Sequence, residues 1–237
     1  SVACIAFNVF NIFALDMNMN AGKSECTPIF NGKGKKIARS NLDKVENNVL
    51  LADVASKKDV YLFFVYVYKH MGTRLSFLYG MTNEIAFRCA LMTSGIKQYS
   101  RVLRNPRVPI AQKVSLINIY MFTRGCFQCS TWPDLNHNQS KKFHSCIMSI
   151  YRKAIGQDFN SVEHPVELLN DIELIHKHNI TAPLNIIRKA RLGLFARIIK
   201  KQPQSLTTLL MACAKHKKGW ICSLKQDFVI ASFCSNV

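Results

Sequence analysis

Acidic residues are scarce in this chain: 14 Asp and Glu stand against 32 Lys and Arg, a formal charge of +18. An imbalance of that size points to a polyanionic partner, because phosphate contacts release condensed counterions. Other absences narrow the field. No apolar run approaches the ~20 residues that a membrane helix needs. The apolar stretch 1–15 is interrupted by Asn8 and Asn11 and has no basic segment before it, so it reads as core, with a signal peptide as the minor alternative. No glycine-rich loop with the P-loop pattern is present, and no nucleophilic triad is readable. Internal repeats and low-complexity tracts are lacking as well. Cysteine is not scarce, but the nine residues are an odd number, and several fall on apolar helical positions. That usage fits free thiols in a reducing compartment, nuclear or cytoplasmic, and not a secreted disulfide framework.

The charge is uneven. Residues 1–80 carry 10 basic and 6 acidic side chains, residues 81–156 carry 11 and 2, and residues 157–237 carry 11 and 6. In the middle block only Glu84 and Asp134 oppose the cations. Nucleic acid is the polyanion this distribution fits best; an anionic membrane surface is the rival.

Periodicity follows the same three-part division. In residues 1–80, Met17–Ile29 reads as a short strand, a turn at Ala21-Gly22 and a second strand. The segment 31–36 reads as a basic loop and 38–49 as a helix. Val60–Tyr68 is dense in Val, Phe and Tyr and predicts a buried strand. Gly72 breaks it, and Thr73–Phe77 returns as the second arm of a hairpin. From Thr82 the period becomes helical: Ile85, Cys89, Met92, Ile96, Tyr99 and Leu103 share one face of a long helix. Asn105-Pro106 ends it. Ile110, Val114, Ile117 and Met121 define a second helix. Phe143, Ile147, Ile150 and Ala154 define a third, capped by Gly156. Short connections favour a small bundle. Asp158–Pro165 reads as a linker and Val166–His178 as a helix. A longer helix follows from Pro183, with Ile187, Ala190, Leu194 and Ile198 inward and Arg188, Lys189, Arg191, Arg197, Lys200 and Lys201 over the rest. The expected class is α+β, mostly α: a small N-terminal hairpin region (1–80), a helical bundle (81–156) and a helical extension (157–237).

Two sets of side chains suggest binding. Lys97, Arg101 and Arg104 recur at helical spacing, and Arg107 and Lys113 extend the stripe. Such a stripe suits phosphate contacts, which position a nucleic acid without reading its sequence. Lys69, His70 and Arg74 flank Gly72, where glycine permits close backbone approach. A zinc reading attaches to Cys126 and Cys129, a CxxC pair, with His137 or with His144 and Cys146. The second half of that set is poor, because His144 and Cys146 stand two apart on a helix and point away from each other. Two buried cysteines and a surface histidine are the plainer reading.

The segment Leu15-Asp16-Met17-Asn18-Met19-Asn20-Ala21-Gly22-Lys23-Ser24-Glu25 resembles a motif of non-LTR (LINE-like) retrotransposon reverse transcriptases, Gly-Leu-x-x-Asn-x-x-Lys-Ser/Thr-Glu, with Asp16-Met17 in place of Gly-Leu. Tyr68-Lys69-His70-Met71-Gly72 is similar to the Tyr-x-x-Leu-Gly hairpin that follows in the same family, with Met for Leu. The helical run 84–156 then looks like the thumb, and Arg191–Arg197, Trp220 and Gln226-Asp227 look like the region after it. The resemblance implies the end of a polymerase palm, a primer-grip hairpin at Gly72, a thumb and an extension. It implies that Lys23 lies near the incoming nucleotide and protonates the leaving pyrophosphate. It also implies RNA-templated DNA synthesis with magnesium in the intact family. No Tyr/Phe-x-Asp-Asp is present, so the chain itself shows no two-metal centre and no cofactor of its own. Ser1 is not an initiator methionine, which fits a fragment whose upstream palm and fingers are partners in the same polyprotein. The expectation is a chain that binds RNA or RNA–DNA duplex through phosphates, not a membrane, and does not polymerise alone. Two other readings stand beside it: a non-catalytic nucleic-acid-binding protein derived from a retrotransposon, and the marginally folded product of a decaying reading frame.

Overall fold

A computed structural model describes residues 25–46, 48–52, 59–70, 72–76, 80–157, 168–215 and 219–235. The architecture is α+β and mostly helical. The chain divides into two compact units, Ser1–Asn83 and Glu84–Val237. Among the described residues, no helix is long and apolar enough to cross a membrane.

The first unit holds two small sheets. Strands β1 (Glu25–Cys26), β2 (Asn48–Ala52) and β3 (Asp59–Phe64) form a sheet of order β1-β3-β2. β1 runs parallel to β3 and β2 antiparallel to it. Helix α1 (Lys35–Lys44) lies between β1 and β2 in sequence and buries Leu42. It begins three residues earlier than the pattern suggests, inside the segment read as a basic loop, because Gly34 takes a left-handed N-cap at φ 89°. It also stops before Val49. That apolar run pairs with β3 instead of continuing the helix, since Val and Leu gain more from a ladder than from an exposed helical end. Asp43 on α1 accepts a 2.6 Å hydrogen bond from the Tyr66 hydroxyl, and the Arg39 guanidinium lies 5.4 Å above the Tyr66 ring.

The single strand expected over 60–68 is two strands. β3 ends at Phe64, and β4 (Tyr68–His70) pairs with β5 (Thr73–Leu75) in a separate hairpin. Gly72 sits in its turn at φ 82°, a conformation glycine adopts without steric cost.

The second unit is built around helix α2 (Thr82–Gln98), the short α3 (Ser100–Leu103), α4 (Ile110–Leu116), α5 (Phe122–Gly125), α6 (His137–Ile155), α7 (Asp171–Lys177), α8 (Pro183–Lys201), α9 (Gln204–Cys213) and α10 (Trp220–Ser235). α4 runs into α5 through one π-helical stretch, Ile117–Met121, and a 3₁₀ turn, Cys129–Thr131, precedes α6. The apolar face read from the sequence is the core: Ile85, Cys89, Met92, Ile96 and Leu103 are buried, as are Val114, Ile117, Phe143, Ile147, Ile150 and Ala154. Trp132 and Phe143 meet edge-to-face at 5.8 Å, Phe122 and Tyr151 at 5.7 Å. α6 starts in a reciprocal capping box between Asn136 and Gln139. α7 starts in the same way between Asn170 and Glu173, so residues 168–170, expected to be helical, instead lead up to the cap. α5 crosses α2 so closely that a Cβ at Gly125 would overlap Cγ and Sδ of Met92. α8 packs on α6, on α10 and on the 3₁₀ turn.

Candidate nucleic-acid interface

α2 turns its apolar face inward, which leaves Lys97 exposed one residue past Ile96. The helix breaks at Tyr99 and resumes as α3, whose Arg101 is exposed beside the buried Leu103. Arg104 follows at the C-cap, also exposed. α3 packs against α6. Between them lies a cleft of about 240 Å³ lined by Thr93, Ile96, Lys97, Ser100, Leu103, Arg104 and Lys153. Its apolar floor and cationic rim would suit a sugar–phosphate strand. Lys142 stands eleven residues before Lys153 on α6, close to three helical turns, so both present the same helical face. That register is readable in the sequence, yet it gains meaning only once α6 is placed beside α3.

What opposes these cations matters as much as the cations. Every described carboxylate of this unit is engaged elsewhere. Glu84 is fully buried and bonds Arg88 at 2.6 Å. Asp134 lies 3.6 Å from Arg191. Asp171 accepts from Arg152 at 2.5 Å and pairs with His144 at 2.9 Å. Glu173 receives the Asn170 backbone N–H at 2.8 Å. Asp227 is bound by Arg191 at 2.7 Å. Among the described residues, none of these carboxylates forms an ion pair with Lys97, Arg101, Arg104, Lys142 or Lys153.

Two further members of the predicted stripe separate. Arg107 is exposed in the turn between α3 and α4. Lys113 is only 7% exposed: it shares with Val114 the packed face of α4, the helix that lies on α6, and so is withdrawn from the stripe. Arg191, expected on the outer face of α8, is also buried at 3% exposure, held by Asp227 of α10. Burial pushes the Asp227 carboxyl above its usual range, with the Arg191 and Arg188 guanidinium groups pulling against it.

In the first unit the hairpin register sets Lys69 directly opposite Arg74, both exposed, and His70 opposite Thr73. The grip residues named from the sequence thus occupy adjacent rungs of one two-stranded ladder around Gly72. Lys23 lies outside the described residues, as does the side chain of His70.

The zinc candidates are divided. Cys126 and Cys129 are free thiols in one turn, the Cys129 backbone N–H donating to the Cys126 carbonyl at 3.1 Å. His144 faces Asp171, while Cys146 faces Cys89 of α2. Among the described residues, no three His, Cys, Asp or Glu side chains are grouped to hold a metal ion. Magnesium, implied for the intact family by the resemblance, needs converging carboxylates. The described carboxylates of the second unit instead face arginines, a histidine and a helix cap, so they do not fit that ion.

No family model, no curated protein and no solved structure matches the chain.

Proposed function

We propose that this chain binds RNA–DNA or RNA duplex through backbone phosphates, as the thumb-like, non-catalytic portion of a non-LTR reverse transcriptase. The observation that carries the reading is the cationic cleft between α2–α3 and α6. Its Lys97, Arg104 and Lys153, with Arg101 and Lys142 beside them, meet no carboxylate among the described residues. A polyanion would supply the missing countercharge and release its own condensed ions on binding. Lysine and arginine cations around an apolar floor are the side chains that meet backbone phosphates, so the binding is of the positioning kind and tolerant of sequence. The Lys69/Arg74 hairpin supplies a second phosphate contact in the first unit. Family descent rests on the two short motifs around Lys23 and Gly72 and on their order ahead of the helical block.

The test is fluorescence anisotropy with a labelled RNA–DNA duplex across a salt series. Charge reversal at Lys97, Arg101 and Arg104 is expected to weaken binding and to lower the salt slope by about 3, since each phosphate that a cation neutralises accounts for about 0.9. Unchanged affinity together with an unchanged slope would overturn the reading. Magnesium-dependent primer extension by the purified chain would overturn its non-catalytic part.

A further inference from the structure

We propose that Cys146 and Cys89 are a peroxide-reactive thiol pair, Cys146 being the sulfur that attacks the peroxide and Cys89 the thiol that resolves it into a disulfide between α6 and α2. The pair is independent of the nucleic-acid reading and rests on four observations.

The first is proximity across helices. The Cys146 thiol donates to the Cys89 backbone carbonyl at 3.7 Å. The residues are 57 apart in sequence, so the packing of α6 on α2 alone brings them together. The second is access. Cys89 is buried at 7% exposure, whereas Cys146 is half-buried with Ser145 and Ser149 exposed on either side. Thr93 Oγ1 lies 3.9 Å from Cys146 Sγ, and Thr93 also lines the cationic cleft, so the sulfur borders its mouth.

The third is electrostatic. The hydrogen bond with the Cys89 thiol draws the Cys146 thiol down to about 7 against the opposing effect of burial, helped by Thr93, Lys142 and Lys153. Lys142 stands four residues before Cys146 and Lys153 seven after, on the same helical face. The Cys89 thiol moves the other way, upward, through the same hydrogen bond and through burial. Cys146 is thus the more readily ionised member and Cys89 the retained thiol, the division of roles a resolving pair needs.

The fourth is a contrast within the molecule. Cys126 and Cys129 also share one turn, and the Cys129 thiol is drawn down by Cys126, but Cys129 is 4% exposed in the turn that α8 covers, and Cys126 is held up. Activation without access leaves that pair unreactive toward a dissolved oxidant.

The chemistry balances with a hydroperoxide as oxidant. The Cys146 thiolate attacks the peroxide oxygen and the O–O bond breaks. Cys146 becomes a sulfenic acid, oxidised by two electrons, and the other oxygen leaves as water (or, from an alkyl hydroperoxide, as the alcohol) after taking a proton. The Cys89 sulfur then attacks the sulfenic sulfur, the S–O bond breaks, and a water leaves with the disulfide formed. A thiol reductant reverses it.

Reduced full-length protein treated with a slight excess of hydrogen peroxide and digested with trypsin tests this by mass spectrometry. The expected product joins peptide 89–97 to peptide 143–152, and it disappears when the protein is oxidised in denaturant or re-reduced. In Cys89→Ser, the dimedone adduct of a sulfenic acid is expected on Cys146. Oxidation that falls on Cys126, Cys213 or Cys222 while Cys146 stays free would overturn the proposal in the wild-type chain, with no variant required. Equal yield of the linked peptides from folded and denatured protein would overturn it as well.

Discussion

Two basic clefts in the second unit differ in what opposes their cations. The cleft between α2–α3 and α6 sets Lys97, Arg104 and Lys153 around an apolar floor, and no acid lines it. The other, of about 290 Å³, is lined by Arg188 and Arg191 of α8 but also by Asp134 and Asp227. In the second, the arginines are neutralised within the fold: Arg191 and Asp227 are 3% and 4% exposed and 2.7 Å apart. In the first, the countercharge must come from solvent ions or from a partner. Net charge alone does not separate these cases. A cation counts toward a binding footprint only when no carboxylate of the fold already claims it.

The largest expected effect breaks the internally neutralised cleft. Arg191→Met strands a buried Asp227, which among the described residues keeps the Arg188 guanidinium at 3.7 Å as its ion-pair partner. Removing one partner of a buried pair costs about 3–5 kcal/mol. Denaturant unfolding should register a loss on that scale, and the double variant Arg191→Met with Asp227→Leu should recover most of it, since an apolar pair of similar volume avoids the desolvation cost. At temperatures where Arg191→Met remains folded, its affinity for duplex and its salt slope should match the wild type. A slope reduced as far as in the Lys97/Arg101/Arg104 variant would erase the distinction between the two clefts.

A smaller effect sharpens the open cleft. Lys142→Glu with Lys153→Glu changes only α6, whereas the stripe on α2–α3 stays intact. If both walls touch one strand, the salt slope should fall by about 2 and stability should move by less than about 0.5 kcal/mol, as for exposed sites in general. A full wild-type slope would confine phosphate contact to α2–α3 and remove α6 from the interface.

How far the sequence reaches depends on the range of the interaction that decides each feature. The core face of α2 through Ile96, the inward positions of α6 and the stop at Gly156 rest on contacts within a few turns, and they are legible. The exposure of Lys97, Arg101 and Arg104 follows from that same local phase. Arg191 is not legible, because its partner Asp227 lies 36 residues away on another helix. Lys113 shares its turn with Val114, and only the placement of α4 on α6 shows that the lysine stem is covered. The parallel pairing of β1 with β3, Glu25 opposite Phe63, has no short-range signal either. The α6 lysines are visible as residues but not as an interface, since facing α3 is a tertiary fact.

The smallest expected effect concerns Asp171, an acid intermediate between the two clefts because it is engaged yet 38% exposed. Burial raises its carboxyl, but hydrogen bonds from Arg152 and His144 outweigh that and leave it below the usual carboxylate value. A depressed folded value stabilises the protein above the unfolded carboxylate value and loses that contribution as pH falls through the folded one. Asp171→Asn should therefore lower the melting temperature at pH 7, by the equivalent of less than about 1 kcal/mol given the solvent screening at this site. The gap from wild type should begin to narrow as pH falls below about 4, where the carboxylate of the unfolded chain takes up its proton first, and close as the folded carboxyl follows. Thermal melts of both proteins at pH 7, 5 and 3 measure it. A gap that stays constant to pH 3 would mean that the Asp171 contacts stabilise α6 and α7 by geometry and not by charge. Asp171 would then cease to count among the acids that neutralise the protein's own cations.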